Sequence, residues 1–179
     1  MKGIKSIKKI ISAALFMLVC LHAMAQQPLP ADSTAANQIF IINAQRLNYE
    51  KKDSSEYQSA VGKVAMRQGT TLFYCDSVVL NRTANKMEAF GHVHINDEDS
   101  VDIFSNYLRY LGKEKKAYLN GDVKLTDGKG TLTTPELNYD MNTKIGIYTK
   151  KGKVVDNKTT LTSNEGYYYG ETKDVYFKK

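Results

Sequence analysis

Between residues 39 and 177 the chain alternates apolar and polar residues with a period of two, and it does so in recurring units. Gly62-Lys63-Val64, Gly91-His92-Val93, Gly121-Asp122-Val123 and Gly152-Lys153-Val154 open alike, at spacings of 29, 30 and 31 residues. Behind each of the first three glycines the apolar positions alternate: Val64 with Met66, Val93 with Ile95, Val123 with Leu125. Side chains two apart on a strand share a face, so each unit predicts a half-buried strand turned toward a common interior.

Two more elements repeat in the same register. Asp76-Ser77-Val78-Val79-Leu80 aligns with Asn106-Tyr107-Leu108-Arg109-Tyr110, with Pro135-Glu136-Leu137-Asn138-Tyr139 and with Asn164-Glu165-Gly166-Tyr167-Tyr168. Gln45-Arg46-Leu47-Asn48-Tyr49 fits the frame as an opening half-repeat. An apolar element precedes each later glycine: Met87-Glu88-Ala89, Ala117-Tyr118-Leu119 and Ile145-Gly146-Ile147, with a terminal version at Val175-Tyr176-Phe177. About three strands per repeat predict an all-β domain of about 13–16 strands. Asn120-Gly121, Asp127-Gly128 and Lys151-Gly152 read as chain reversals that need positive φ. One repeat cannot bury its own apolar face, so stability must come from stacking. A stack leaves two edges, here Ile39-Phe40-Ile41-Ile42 and the strand holding Val175 and Phe177, with little charge or Pro to guard them.

The first residues change the compartment. Lys2, Lys5, Lys8 and Lys9 precede an apolar run from Ile10 to Ala23, and Ala23-Met24-Ala25 fits a small-x-small cleavage site. Residues 1–25 are therefore expected to be a signal peptide, residues 26–37 a flexible leader with Pro28 and Pro30, and residues 38–179 one domain. Cys20 is a weaker reading, as a lipidation cysteine. Without the four signal-peptide lysines the chain carries 21 basic and 19 acidic residues, a net charge of +2, which removes the electrostatic case for a nucleic-acid partner. Cys75 is then the one remaining cysteine, so no disulfide holds the domain together.

These repeated elements, from Ile39 to Phe177, resemble the OstA-like family, the periplasmic lipopolysaccharide-transport proteins of the LptA type. The resemblance implies a twisted, open β-jelly roll whose two sheets form a trough for the acyl chains of lipopolysaccharide. It also implies copies, or related domains of the inner- and outer-membrane transport complexes, joined end to end through edge strands. The inward positions then become the lipid-facing surface: Val64, Met66, Val78, Leu80, Val93, Ile95, Leu108, Tyr110, Val123, Leu125, Leu137 and Tyr139. Ile39, Phe40, Ile41, Ile42, Val175 and Phe177 become assembly edges. The chain departs from the family in its inward tyrosines (Tyr110, Tyr139, Tyr168) and in Gly166, which stands where Leu or Val is expected.

Other chemistry is sparse. His92 and His94 share a strand face near Asp97, Glu98 and Asp99, but Val93 and Ile95 take the inward positions, so a solvated strand is expected there and no metal site. No nucleophile elbow and no Walker spacing is present, and Asp127-Gly128-Lys129-Gly130 reads as a hairpin turn. Neither enzymatic activity nor a cofactor is expected. Two alternatives remain beside the lipid bridge: a scaffolding β-repeat of the cell envelope, and a polysaccharide-binding β-solenoid. A solenoid that cleaves polysaccharide needs clustered groove carboxylates, and the inward positions here are Val, Leu, Ile, Met and Tyr.

Overall fold

The computed structural model describes residues 37–98, 100–156 and 159–178; the predicted signal peptide, and the predicted leader up to residue 36, lie outside them. Among the described residues the chain runs through thirteen strands: β1 (Phe40–Asn43), β2 (Arg46–Lys52), β3 (Ser55–Gln68), β4 (Thr71–Asn81), β5 (Lys86–Asp97), β6 (Val101–Leu111), β7 (Lys116–Thr126), β8 (Gly130–Asp140), β9 (Ile145–Tyr148), β10 (Gly152–Asp156), β11 (Thr159–Ser163), β12 (Glu165–Tyr169) and β13 (Asp174–Lys178). All thirteen belong to one antiparallel, unclosed sheet, paired in the order β1-β3-β4-β5-β6-β7-β8-β9-β12-β13, with β2 also on β3 and the pair β10-β11 also on β8.

One sheet makes two layers because its long strands bend. The ladder skips at a bulge in every pair from β3·β4 to β7·β8, between Val61 and Val64, Phe90 and Val93, and Asn120 and Val123 on the odd-numbered strands. There the backbone turns through two successive positive-φ residues: Gly62 and Lys63 at 86° and 47°, Gly91 and His92 at 71° and 43°, Gly121 and Asp122 at 80° and 50°. An extra residue on one strand sharpens its bend, and glycine takes the first left-handed position without steric cost. One layer therefore holds β1, the segments after each Gly corner and β10-β11; the other holds β2, the segments before each corner, β9 and β12-β13.

This differs from the expectation in a physical way. Asn120-Gly121 and Lys151-Gly152 are corners between layers, not chain reversals; Asp127-Gly128 is a true hairpin turn between β7 and β8. The apolar element before each Gly and the strand after it are one bent strand in β5 and β7, so a repeat supplies two long strands where three short ones were expected. In the third repeat the segment Thr149-Lys150-Lys151 separates that strand into β9 and β10, which lie in different layers.

The β9 register also shifts by one. Gly146 and Tyr148 face inward, while Ile147 faces out and is exposed. Gly146 sits opposite Tyr139 and Tyr168, which leave little room for a side chain between them. The Tyr148 ring lies across both Gly152 and Gly166, whose added Cβ would approach it to 2.3 Å. That explains the missing Leu or Val at position 166: the volume comes from Tyr148, whose hydroxyl hydrogen-bonds with Ser163 Oγ at 2.6 Å.

The layers pack directly on one another. Phe73 of one layer meets Tyr110 of the other with ring centroids 4.9 Å apart, within a single apolar core that runs the length of the sheet. At the corners Ser105, Thr134 and Ser163 each donate a hydroxyl to the carbonyl two residues on. Cys75 holds the equivalent place in the first full repeat, buried, which accounts for it as a small corner residue.

Gly166→Ala is expected to lower unfolding stability by about 1–3 kcal/mol, the usual cost of overpacking. Combined with Tyr148→Ala it should cost less than the sum of the two single changes, by about 1–3 kcal/mol, because the groups share one volume. Urea unfolding of the four proteins checks this, and strict additivity would contradict the packing account.

Candidate functional site

Each of the twelve sequence-predicted lipid-facing residues lies in the interlayer core, no more than 1% exposed. Val64, Met66, Val93, Ile95, Val123 and Leu125 come from one layer and Val78, Leu80, Leu108, Tyr110, Leu137 and Tyr139 from the other. The sheet is open in its hydrogen bonding, but its concave face is filled by its own side chains.

The same inward face is uncovered at both ends. Leu47 and Tyr49 of β2 continue the inward rows of β3 and are 58% and 53% exposed. At the other end Leu161 of β11 and Phe177 of β13 point inward and are 46% and 38% exposed. Between β11 and β13 the layers part around a cleft of about 300 Å³, lined by Leu125, Leu132, Val154, Leu161, Val175 and Phe177, with Lys129 and Lys173 also on its lining. Asp127, Asp156 and Asp174 line it as well, so the apolar wall carries charges of both signs at its edge and suits an amphipathic molecule.

The proposed assembly residues divide. Phe40, Ile41 and Ile42 lie on β1, which pairs only with β3 among the described residues; Ile39 precedes it, is buried, and gives its N–H to Asn85 Oδ1 at 3.1 Å. Val175 and Phe177 lie on β13, which among the described residues pairs only with β12. β1 and β13 end different layers, however. The free strand that shares a layer with β1 is β11, and the one that shares a layer with β13 is β2.

Opposite the corners, the hairpin turns of the two layers meet along a mouth, and a repeated hydrogen bond closes it. Tyr110 Oη donates to Gln68 Oε1 at 2.5 Å, Tyr139 to Asp97 Oδ2 at 3.1 Å and Tyr168 to Asp127 Oδ2 at 3.0 Å. Donor and acceptor lie 42, 42 and 41 residues apart in the chain. Burial, and for Tyr139 and Tyr168 the adjoining carboxylates, raise all three phenol pKa values, so these groups stay protonated donors. Burial works against ionisation of Asp127, but hydrogen bonds from the Gly130 and Lys129 amides and from Tyr168 outweigh it and hold its carboxyl below the ordinary value. Gln68 Nε2 also bonds Gly112 O, Lys144 Nζ reaches Glu98 Oε2 at 2.8 Å, and Lys173 Nζ reaches Asp127 O.

The acceptors Gln68, Asp97 and Asp127 escaped the sequence reading. Each stands six residues after a repeat glycine, at an inward position, and a polar residue recurring there was the signal that could have found them. The family model for OstA-like proteins matches residues 36–179 of the chain. The chain belongs to the OstA-like family. No curated protein matches it in a sequence search. Among solved structures it is similar to LptH from Pseudomonas aeruginosa, described as the LptA homologous periplasmic component of the conserved lipopolysaccharide transport device. That likeness has 15% identity, a TM-score of 0.32, and covers 81% of this chain and 85% of that one.

In this OstA-like chain the remaining polar groups are used locally. His92 Nδ1 contacts Asp76 Oδ2 and His94 Nε2 contacts Asp102 Oδ1, both at 2.7 Å, so the two rings serve separate carboxylates. No cluster of three metal-ligating side chains occurs among the described residues. Burial first, then the Asp76 charge, pushes the Cys75 thiol up to about 12, so it is scarcely ionised at neutral pH.

Proposed function

We propose that this protein is a periplasmic carrier that holds lipopolysaccharide by its acyl chains between the two layers and passes it along end-joined copies or related domains toward the outer membrane. One observation carries the reading: the inward apolar face runs the whole length of an OstA-like chain and is left uncovered at both ends. A methylene moved from water to such a surface contributes about 0.8 kcal/mol, so a few acyl chains are held firmly without a dedicated polar site. Export by a cleavable signal peptide over residues 1–25 belongs to the same proposal, as does the partnership with inner- and outer-membrane transport complexes. A carrier of this kind has no bond to make or break and needs no catalytic group.

End-to-end assembly follows from the same exposed ends. A neighbour whose β1 and β2 meet β11 and β13 extends both layers at once, covers Leu161 and Phe177 with Leu47 and Tyr49, and makes the interior continuous. Such a contact is heterologous and does not close, so it gives chains of growing length. A second reading, a scaffolding β-repeat, is favoured by the filled interior, because a scaffold needs no space between its layers.

Phe177→Asp separates the two readings, since the residue is exposed and the change costs the fold little, about 0.5 kcal/mol. The carrier reading expects purified lipopolysaccharide to bind this variant about tenfold more weakly, because a carboxylate beside an acyl chain is disfavoured. Undetectable binding by the parent protein would favour the scaffold. Assembly is checked by light scattering across a concentration series, with the parent expected to grow in mass and Ile41→Pro/Val175→Pro expected to shift toward monomer through lost ladder bonds. A parent that stays monomeric at every concentration would overturn self-assembly.

A further inference from the structure

The filled interior raises the question of how a ligand gets in, and we infer that the mouth is a lateral gate. In this inference, which rests on the carrier reading, the tyrosine hydrogen bonds are its latches and the Gly-x corners its hinge. Along the corner side the layers are joined by the continuous chain of every long strand, so they cannot separate there. Along the mouth no backbone ladder crosses among the described residues. Among the described residues the bonds across it involve side chains: Asn85 to the Ile39 N–H and Asn37 O, Tyr110 to Gln68, Gln68 to Gly112 O, Tyr139 to Asp97, Lys144 to Glu98, and both Tyr168 and Lys173 to Asp127. A jaw opening about the corners breaks these bonds while both sheets keep their ladders.

The latch chemistry favours reversible opening. Asp97 keeps Thr71 Oγ1 at 3.0 Å, and Asp127 keeps the Lys129 and Gly130 amides, when their tyrosines withdraw. The oxygen that each carboxylate frees then faces water, so opening exchanges a hydrogen bond instead of leaving one unmade. The first latch differs, because Gln68 and Tyr110 are both neutral and Gln68 is tied to Gly112 as well. Asp127 and Tyr168, by contrast, line the cleft where the layers already part. Because that cleft already separates the layers, the gate opens from the β11–β13 end once Asp127 releases both Tyr168 and Lys173, and it admits acyl chains sideways while the charged head group stays in water.

The test uses the full chain with Cys20→Ser and a Glu98→Cys/Lys144→Cys pair, bridged across the mouth by a bis-maleimide that carries a cleavable disulfide. Cys75 is buried and barely ionised, which leaves the new pair as the reactive thiols. Uptake of fluorescently labelled lipopolysaccharide is followed in time. Bridging is expected to slow uptake about tenfold or more, cleavage of the linker to restore it, and Tyr139→Phe/Tyr168→Phe to load about tenfold faster than the parent, as loss of charge-assisted hydrogen bonds predicts. Bridged protein that loads as fast as cleaved protein would overturn the gate and put entry at the ends. A phenylalanine pair no faster than the parent would remove the latches from the account. Failure of every form to take up the probe would overturn the carrier reading, and the gate with it.

Discussion

A sheet with one apolar face must cover that face, and this chain covers it with the same sheet. The device is a bend of two successive left-handed residues in the middle of every second long strand, β3, β5 and β7, with Gly62, Gly91 and Gly121 in the first place. Each bent strand therefore supplies inward residues to both layers: Met87 and Ala89 to one, Val93 and Ile95 to the other. Because neighbouring strands are joined by short hairpins, equivalent residues of successive repeats stack into rows along the long axis. The interior is consequently one continuous channel of side chains with two open ends, a shape that a closed sandwich of the same length lacks.

The period-two pattern was enough to read the inward face. Val64, Met66, Val93, Ile95, Leu108 and Leu137 all lie where alternation puts them, because a one-residue slip would turn a whole apolar set to water. Alternation says nothing about where a strand bends, so the glycines at 121 and 152 read as reversals when they are corners. Corners and reversals alike use a left-handed residue, here Gly121 and Lys151 at the corners and Gly128 at the reversal, and only the ladder tells them apart. Alternation also failed at β9, where apolar Ile147 faces out. Gly146 was needed between Tyr139 and Tyr168, a constraint set by residues on two other strands and invisible in the local sequence. The tyrosines were visible as departures; their partners on the opposite layer, 41 or 42 residues away, were not.

A filled interior keeps the apolar surface of each layer out of water, which suits the resting state of the proposed carrier. The layers serve as each other's ligand, and in the proposed carrier acyl chains would replace one layer by offering similar contacts at similar density. The difference in free energy between empty and loaded forms is then smaller than the gross area suggests, which favours passage over retention. In the proposed bridge, equal surfaces in successive copies would give no direction by themselves, so net movement would need a drive from outside the chain.

The central claim is that the interlayer face, and not the outer face, carries the ligand. The most direct measurement places a photoreactive amino acid in turn at Leu108 and at Arg109, adjacent residues on opposite faces of β6, in intact cells. Leu108 is fully buried between the layers, while Arg109 lies outside against the ring of Tyr118. The account predicts crosslinks to lipopolysaccharide from position 108 and none from position 109. Equal labelling from both positions, or labelling from 109 alone, would contradict it.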